Sequence, residues 1–461
     1  MGLSAAMEIG KNGLNIYRVA TEVTGENIAN VNTPGYSRQR VILETAPPTT
    51  ANGFPLGTGV HIATVERYYD SLLQQQMVNA HTTQGYDTTK STVLQQIEPS
   101  FNEVAQDGLG AAVSNFYASW QDLTLNPAGS AERQAVLSRA QILVDNFNSV
   151  SKSLNDSIAT QNASLVPQTQ DINQILGNIA QLNGQIKTTE LVSGNANETR
   201  DQRDQLVRDL SQKIGITYTE NSDGTTDIKL GANNLVVGST AGLLSLVPNG
   251  SISDVYVTQA GGGAAAILVP QPSTGQLGAT LALRDTIIPG YLAKVDTLAM
   301  TIANQVNTQH KLGFDLNGLA GINFFDPAAT NAATMAINPL LTSTKQIAAS
   351  GSALLAADSS NALTIAKQQN ALTMLGGTAT FNSYFDGLVS QIGLDVRASK
   401  TTLAQDEAFT KQLTSLRESN SGVSLDEELT NLVKYQRSYQ ASAKLISTAT
   451  DMMDIVIGMV R

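Results

Sequence analysis

Apolar side chains in the last segment of the chain, from Leu425 to Val460, recur in steps that alternate between four and three residues. An average step of about 3.5 residues places them in one narrow seam along a helix, which is the pattern of a coiled coil. Neither proline nor glycine interrupts the run before Gly458, so it predicts one helix about 54 Å long that needs a partner helix. The predicted inward positions are Leu425, Leu429, Leu432, Gln436, Tyr439, Ala443, Ile446, Thr450, Met453, Ile457 and Val460.

A weaker seam of the same kind runs through the first 33 residues of the chain. Its glycines at positions 10, 13 and 25 each lower helix stability by about 1 kcal/mol relative to alanine, so this helix would be marginal alone in water. We therefore predict that the two ends of the chain pair as a coiled coil. The N-terminal seam consists of Leu3, Met7, Leu14, Tyr17, Ile28 and Val31, with gaps at Gly10, Thr21 and Thr24.

The sequence predicts a turn after the first helix, at Asn32-Thr33-Pro34-Gly35. Proline keeps the residue before it out of the helical region, and Pro followed by Gly suits the two central positions of a type II turn. The β-favouring runs Tyr36–Leu43 and Gly59–Val65 follow, separated by a loop rich in proline and glycine. They predict a two-stranded ribbon.

Helical spacing dominates the middle of the chain. Residues 70–101 are polar and helical in pattern, and the only tryptophan, Trp120, is predicted to anchor a core. A long seam runs from Val136 to Ile186, and we expect Pro167 to kink or break it. Helical spacing returns at Arg284 and continues, with a connection at 326–360, to Arg417.

Short β-favouring runs between Ile216 and Leu281 are separated by turn dipeptides such as Asp223-Gly224 and Asn249-Gly250. The fold class predicted is therefore mainly α with an inserted β domain. We expect a terminal coiled-coil domain with the ribbon (1–66 and 420–461), a helical rod-like domain (67–214 and 282–419) and a small β-rich outer domain (215–281).

Composition removes several classes of function. The formal net charge of -11 would repel a phosphate backbone, and no Lys/Arg cluster overrides it, so we expect no nucleic-acid partner. No stretch of about 18 apolar residues predicts a membrane span, and the N-terminus lacks the pattern of a Sec-type signal peptide. The absence of cysteine excludes disulfides and thiolate chemistry.

Candidate catalytic residues are few. The three histidines, His61, His81 and His310, lie far apart in the sequence, and none belongs to a two-histidine zinc motif. The chain also lacks a nucleophile elbow, a phosphate loop and a dinucleotide fingerprint. We predict no catalytic residue, no cofactor and no metal.

Acidic pairs and one Asp-x-Asn-Gly run need separate interpretation. Asp201 with Asp204, and Glu427 with Glu428, lie among basic neighbours on helices, and we expect them on solvated faces. The run from Asp315 to Gly318 resembles the start of a calcium loop, but the later acidic ligand is missing. An Asx turn is the better interpretation there.

The segment from Asn27 to Tyr36 reads Asn-Ile-Ala-Asn-Val-Asn-Thr-Pro-Gly-Tyr. This run resembles the N-terminal signature shared by the rod, hook and hook-associated proteins of the bacterial flagellum. Further runs are similar to the hook-associated members and extend the resemblance to the whole chain. They are Arg133–Leu137, Asp201–Leu206, Leu283–Asp285, Leu425–Leu429 and Tyr439–Lys444.

The resemblance implies a structural protein, exported through the flagellar type III apparatus, that assembles head to tail at the junction between hook and filament. It implies copies of the chain in a ring, hook protein below, a second hook-associated protein above, and an export chaperone on the C-terminal region. We expect the terminal helices to become ordered on assembly. The predicted assembly residues are Leu3, Met7, Leu14, Ile28, Asn30, Asn32, Thr33, Pro34, Gly35, Tyr36, Leu425, Leu429, Leu432, Gln436, Tyr439, Ile446, Met453, Ile457 and Val460.

Two other functions stay open from the sequence. A flagellar hook or distal-rod subunit would share the Asn-Thr-Pro-Gly run, although the long helical segment from Val136 to Ile186 argues against it. A secreted enzyme carried on a coiled-coil stalk would need its chemistry in the β insert, where no histidine lies and no acidic cluster is evident.

Overall fold

A computed structural model describes residues 2–51, 54–101, 108–192, 194–261, 266–268 and 274–460. Helices dominate these residues, and the described strands fall into two groups, as the predicted fold class required. The helices are α1 (Gly2–Ala29), α2 (Ser71–Ile97), α3 (Leu109–Leu123), α4 (Ser130–Val192), α5 (Asn197–Lys213), α6 (Gly275–Ala282), α7 (Ile288–His310), α8 (Ser360–Lys367), α9 (Phe381–Ser421) and α10 (Leu425–Val460).

The first group of strands follows α1 and includes the predicted ribbon, which β1 and β4 form as an antiparallel pair. The second group forms the β insert, with a four-stranded sheet in the order β5-β6-β7-β8 and a three-stranded sheet in the order β11-β10-β9. The strands are β1 (Gln39–Thr45), β2 (Thr49–Ala51), β3 (Phe54–Leu56), β4 (Val60–Arg67), β5 (Thr217–Glu220), β6 (Thr226–Leu230), β7 (Asn233–Val237), β8 (Thr240–Ala241), β9 (Leu243–Asn249), β10 (Ile252–Thr258) and β11 (Ala266–Leu268).

The two terminal helices, α1 and α10, pack along each other, which confirms the predicted pairing of the chain ends. Small residues line the contact on α1. A Cβ atom added to Gly10 would lie 2.5 Å from Ile446 Cγ1, and one added to Gly13 would lie 2.6 Å from Ser442 Oγ. The glycines that weaken α1 as an isolated helix therefore allow α10 to approach it closely.

The face of α10 that packs on α1 differs from the predicted seam. Glu428, Tyr435, Ser442 and Ala449, at seven-residue spacing, are buried or half-buried there, together with Leu432, Ile446 and Met453. The predicted inward positions Leu425, Leu429, Gln436, Tyr439, Ala443, Thr450 and Ile457 are exposed, and the side chain of Val460 lies outside the described residues. The predicted apolar residues Leu432, Ile446 and Met453 do take part in the contact, but small and polar residues that the prediction left out make up the rest of it.

On α1, too, the buried positions differ from the predicted ones. Gly10, Gly13, Ile16, Ala20, Thr24 and Asn27 are buried, whereas the predicted Leu3, Met7, Leu14, Tyr17, Ile28 and Val31 are only half-buried. Tyr17 still contacts α10, because its ring stacks on that of Tyr435 with the centroids 6.4 Å apart.

Helix α4 continues through Pro167, so of the kink or break expected there the break does not occur, and the kink stays a prediction. Proline removes one backbone hydrogen bond and clashes with the preceding turn. Leu165, Ile172 and Leu176, on both sides of it, are fully buried in the core that α4 shares with α5 and the β insert. Packing of this face stabilises the helix across the proline.

The distal core, formed by α3 and α7 together with one end each of α2, α4 and α9, surrounds Trp120. Trp120 is fully buried, as predicted, and its ring lies 5.5 Å from that of Phe324. The irregular segment between α7 and α8 packs on this core, and its Asp315 carboxylate accepts hydrogen bonds from the backbone of Asn317 and Leu319. The Asx turn predicted there is confirmed.

Candidate assembly site

The signature turn has the predicted type II geometry. The Tyr36 N–H donates to the Thr33 carbonyl at 3.2 Å, and Gly35 adopts a φ of 86°, which L side chains rarely adopt. A Cβ at Gly35 would also lie 3.1 Å from the side-chain oxygen of Gln205 on α5. Glycine is therefore required at this position both by the turn and by the neighbouring helix.

Asn27, in the last part of α1, holds the turn against β1. Its side chain donates to the carbonyl of Gln39 and accepts from the N–H of the same residue, each at 2.9 Å. The side-chain oxygen also accepts from the Tyr36 hydroxyl, and the amide donates to Glu428 on α10. One buried side chain thus connects α1, the turn, the ribbon and the terminal helix.

A buried ion-pair network continues from the turn to β4 and α5. The Asp201 carboxylate accepts from both the N–H and the hydroxyl of Ser37, and it pairs with Arg67 at 2.6 Å. Asp204 pairs with the same guanidinium at 2.7 Å. Because both aspartates are more than nine-tenths buried, the expected solvated face was wrong for this pair.

The start of α10 is fixed by a second cluster of charges. Arg38 pairs with Glu427 at 2.6 Å and with the buried Glu428 at 2.7 Å, so the solvated-face prediction was wrong for Glu428 as well. From α9, Arg417 donates to the carbonyls of Gly35 and Tyr36. We call this assembly of Asn27, Gly35–Gln39, Arg67, Asp201, Asp204, Arg417, Glu427 and Glu428 the signature hub.

Beside the signature hub lies a cleft of about 630 Å³ between α1, α4 and α5. Glu26 and Glu198 face each other across it, and a hydrogen bond between their carboxyl groups, reinforced by burial, raises the pKa of Glu26 to about 7. Burial also raises the pKa of the Tyr36 phenol. Glu26 and Tyr36 therefore stay protonated and uncharged to a higher pH than exposed residues of the same type do.

The predicted site residues fall into three places. Gly35 and Tyr36 lie inside the signature hub, whereas Asn32, Thr33 and Pro34 form an exposed ridge beside it. The Asn30 side chain is bonded to the Glu26 carbonyl and accepts from the Thr33 hydroxyl. The other predicted residues lie along the paired terminal helices, where Ile28, Leu425 and Leu429 adjoin the hub and the rest lie farther from it.

Sequence reasoning missed the hub residues Asn27, Ser37, Arg67, Asp201 and Glu428 as site residues. Asn27 and Asp201 belong to runs that carry the family resemblance, which was the available signal. Periodicity alone does not reveal that Asp201 meets a residue 134 positions away.

Comparison with known families identifies the middle of the chain. A family model described as the flagellar hook-associated protein FlgK helical domain matches residues 94–325, half of the chain. The chain belongs to the FlgK family. Family models of the flagellar rod proteins match the ends of this FlgK chain: the basal body rod protein model covers residues 7–36, and the FlgEFG C-terminal model covers residues 417–459.

Similar FlgK proteins extend over the whole chain. Flagellar hook-associated protein 1 of Escherichia coli K12 is 28% identical and covers 99% of this chain and 100% of its own length. The protein of the same name from Bacillus subtilis strain 168 is 28% identical over 98% of this chain and 97% of its own. The flagellar hook junction protein FlgK from Burkholderia pseudomallei shares the fold, with a TM-score of 0.69 at 18% identity, over 75% of this chain and 100% of its own.

These similarities decide between the functions that the sequence left open. The rod-protein models match only the two ends, which carry the shared signature, whereas the helical middle matches the hook-associated family. The protein is therefore a hook-associated structural protein of the flagellum and not a hook or distal-rod subunit. Its relatives bear the names of flagellar proteins, not of enzymes. No helix in the described part of the chain is long and apolar enough to cross a membrane.

Proposed function

We propose that this protein forms the junction between the flagellar hook and filament, with copies of itself in a ring, hook protein below and a second hook-associated protein above. Head-to-tail contacts between identical subunits build rings or open filaments, according to the rotation between neighbours. The proposal places the terminal helix pair at the inner contacts of that ring.

The observation that carries this proposal is the apolar surface left exposed on α10. Leu429 and Val433 are 51% and 56% exposed, because α1 covers a different face of the helix. Exposed apolar side chains grouped on one element mark an interaction site. We call the following exposed residues the outer stripe: Leu425, Leu429, Val433, Tyr439, Leu445, Met452, Ile455, Val456, Ile457 and Met459.

The same surface supports a proposal about export. When the outer stripe is exposed on a free subunit, it favours association of subunits before they are exported. A chaperone that covers the C-terminal region would prevent this association. We propose that the protein leaves the cell through the flagellar type III apparatus with this region covered, and that α1 and α10 become fully ordered on assembly. Protease-resistant termini in the free monomer would count against the ordering step.

A double substitution on the outer stripe tests the junction function. Leu429→Glu with Val433→Glu places two carboxylates on the surface that neighbouring subunits would bury, and it leaves the α1 contact untouched. We expect a folded monomer with unchanged circular dichroism, no incorporation between hook and filament, and no filament growth in cells that lack the native protein.

The matched control adds the same two carboxylates to α10 at other positions, as Thr430→Glu with Ala441→Glu. Both of these residues are exposed and lie outside the outer stripe. We expect this variant to restore filaments. Normal filaments from the stripe variant would contradict the proposed function.

A further inference from the structure

A pair of aspartates, Asp87 on α2 and Asp406 on α9, lies where these two helices run side by side. Helix α9 extends from the distal core, where Phe381 stacks on Tyr117, to the signature hub, where Arg417 binds the turn. Helix α2 runs alongside it over much of this length. Together the two helices form a shaft that connects the distal core with the terminal domain.

Apolar packing between the two helices is interrupted at the level of this pair. The distal core ends at Val396 on α9 and begins at Val93 on α2, and a second small cluster joins Leu413 to Met77 and Ala80. Asp406 lies between these clusters on α9, and Asp87 lies between them on α2. Polar groups therefore determine whether the helices stay together here.

A side-chain hydrogen bond links the two carboxyl groups, which are shielded from water unequally, since Asp406 as a whole is only half-buried. Asp87 is 9% exposed, and the Oδ2 atom of Asp406 is fully buried with no hydrogen-bond partner among the described residues. One turn further along α9, Thr410 is 8% exposed, and its hydroxyl likewise has no partner among them. A buried ionised carboxylate without a donor is costly, and two adjacent ones repel each other.

Within the described part of the chain, no cation forms an ion pair with Asp87 or Asp406. The charged residues near this level are Lys90 on α2, Glu407 and Lys411 on α9, and Lys213 on α5. Lys213 pairs with Asp171 on α4, and the other three form no ion pair among the described residues. A proton held between the two carboxyl groups is the remaining way to offset the repulsion.

We propose that Asp87 and Asp406 share one proton and form a latch that holds α2 to α9 in acid and releases the middle of the shaft as pH rises. Burial and the neighbouring Asp87 raise the pKa of Asp406 to about 6. Because the folded-state pKa lies above the unfolded value, the stabilisation is complete in acid and is lost as pH rises through about 6. The latch acts whether or not the protein has the proposed junction role.

Hydrogen exchange of the full chain at pH 5 and pH 8 tests the latch, read as protection factors in residues 83–91 and 402–410. We expect protection in the wild type to fall by up to about tenfold at the higher pH, which is the ratio that a pKa of about 6 allows between pH 5 and pH 8. In Asp406→Asn the amide donates to Asp87 at every pH, so protection should be equal at pH 5 and 8. Asp87→Asn should behave in the same way.

The control is Asp386→Asn, which removes one charge from an exposed position of the same helix and should retain the tenfold change. The same pH dependence in Asp406→Asn as in the wild type would overturn the proposal. Addition of millimolar calcium chloride at pH 8 separates a proton from a metal ion. Protection restored by calcium in the wild type but not in Asp406→Asn would also overturn it, because the pair would then be a cation site.

Discussion

At the scale of single residues, one side-chain geometry recurs where helices meet extended chain. Four helical asparagines each bind both the N–H and the carbonyl of one residue elsewhere in the fold, as a neighbouring strand would. The pairs are Asn27 with Gln39, Asn173 with Leu244, Asn183 with Thr226, and Asn307 with Phe325. This geometry satisfies buried backbone groups at four separate junctions of the molecule.

His310 gives a prediction at the same scale. Its Nε2 accepts from the Ala348 N–H at 2.9 Å while Nδ1 binds the Ile322 carbonyl, so the ring is held neutral. Burial lowers its pKa to about 4, below the unfolded value of about 6.5. The unfolded state therefore takes up the proton first, and we expect the free energy of unfolding to fall by up to about 3 kcal/mol between pH 6.5 and 4.

Urea unfolding of wild type and His310→Gln over this pH range measures the effect, since the variant should lose that part of the pH dependence. His61→Gln, at an exposed position, serves as the control and should follow the wild type. A variant at position 310 with the full wild-type slope would contradict the assignment.

Residue-level prediction from sequence succeeded where a local rule applied. The type II turn at Pro34 and Gly35 and the Asx turn at Asp315 follow from backbone preferences of neighbouring residues. The burial of Asp201 and Glu428 depends on partners far away in the chain, and the charge pattern around them is the same as that of a solvated helix face.

At the scale of elements, the pairing of α1 with α10 depends on close approach rather than on interlocking apolar side chains. The extent of the terminal helix, Leu425–Val460, was predicted to the residue because its pattern is long and uninterrupted. The face through which this helix packs was not predicted. Glycine, serine and alanine give no hydrophobic signal in the sequence, although they permit the shortest distance between helices.

Substitution of the α1 glycines tests this packing. Alanine normally stabilises a helix by about 1 kcal/mol relative to glycine, and we expect that gain from Gly25→Ala, where a Cβ would meet nothing within 4 Å. Gly10→Ala should instead destabilise the terminal pair by about 1–3 kcal/mol, because the new methyl overlaps Ile446. Thermal unfolding, followed by limited proteolysis of the termini, distinguishes Gly10→Ala from Gly25→Ala. Equal stabilisation by the two substitutions would exclude close packing at Gly10.

At the scale of the whole molecule, the signature hub is the place where the terminal pair, the ribbon and the rod domain are joined. Its bonds come from α1, the turn, β4, α5, α9 and α10, so the relative placement of the domains depends on a few buried charges. The predicted boundaries between the terminal and rod domains, after residues 66 and 419, lie beside the hub residues Arg67 and Arg417, and they stay predictions.

Removal of one central charge tests the joint. Arg67→Ala leaves Asp201 and Asp204 buried without their cation, and we expect a loss of about 3–5 kcal/mol and independent unfolding of the terminal helices and the distal core. Arg40→Ala, whose partner Glu66 is exposed at 3.8 Å, should cost less than about 1 kcal/mol. Similar small losses in both variants would mean that the hub does not couple the domains.

The hydrogen bond between Asn27 and Glu428 joins positions separated by 401 residues. A nascent or truncated chain that stops before Glu427 leaves Arg38 and Asn27 without their acidic partners, however well its middle has folded. The hydrogen bonds and ion pairs of the hub therefore all form only in a chain that has been synthesised as far as the start of its terminal helix.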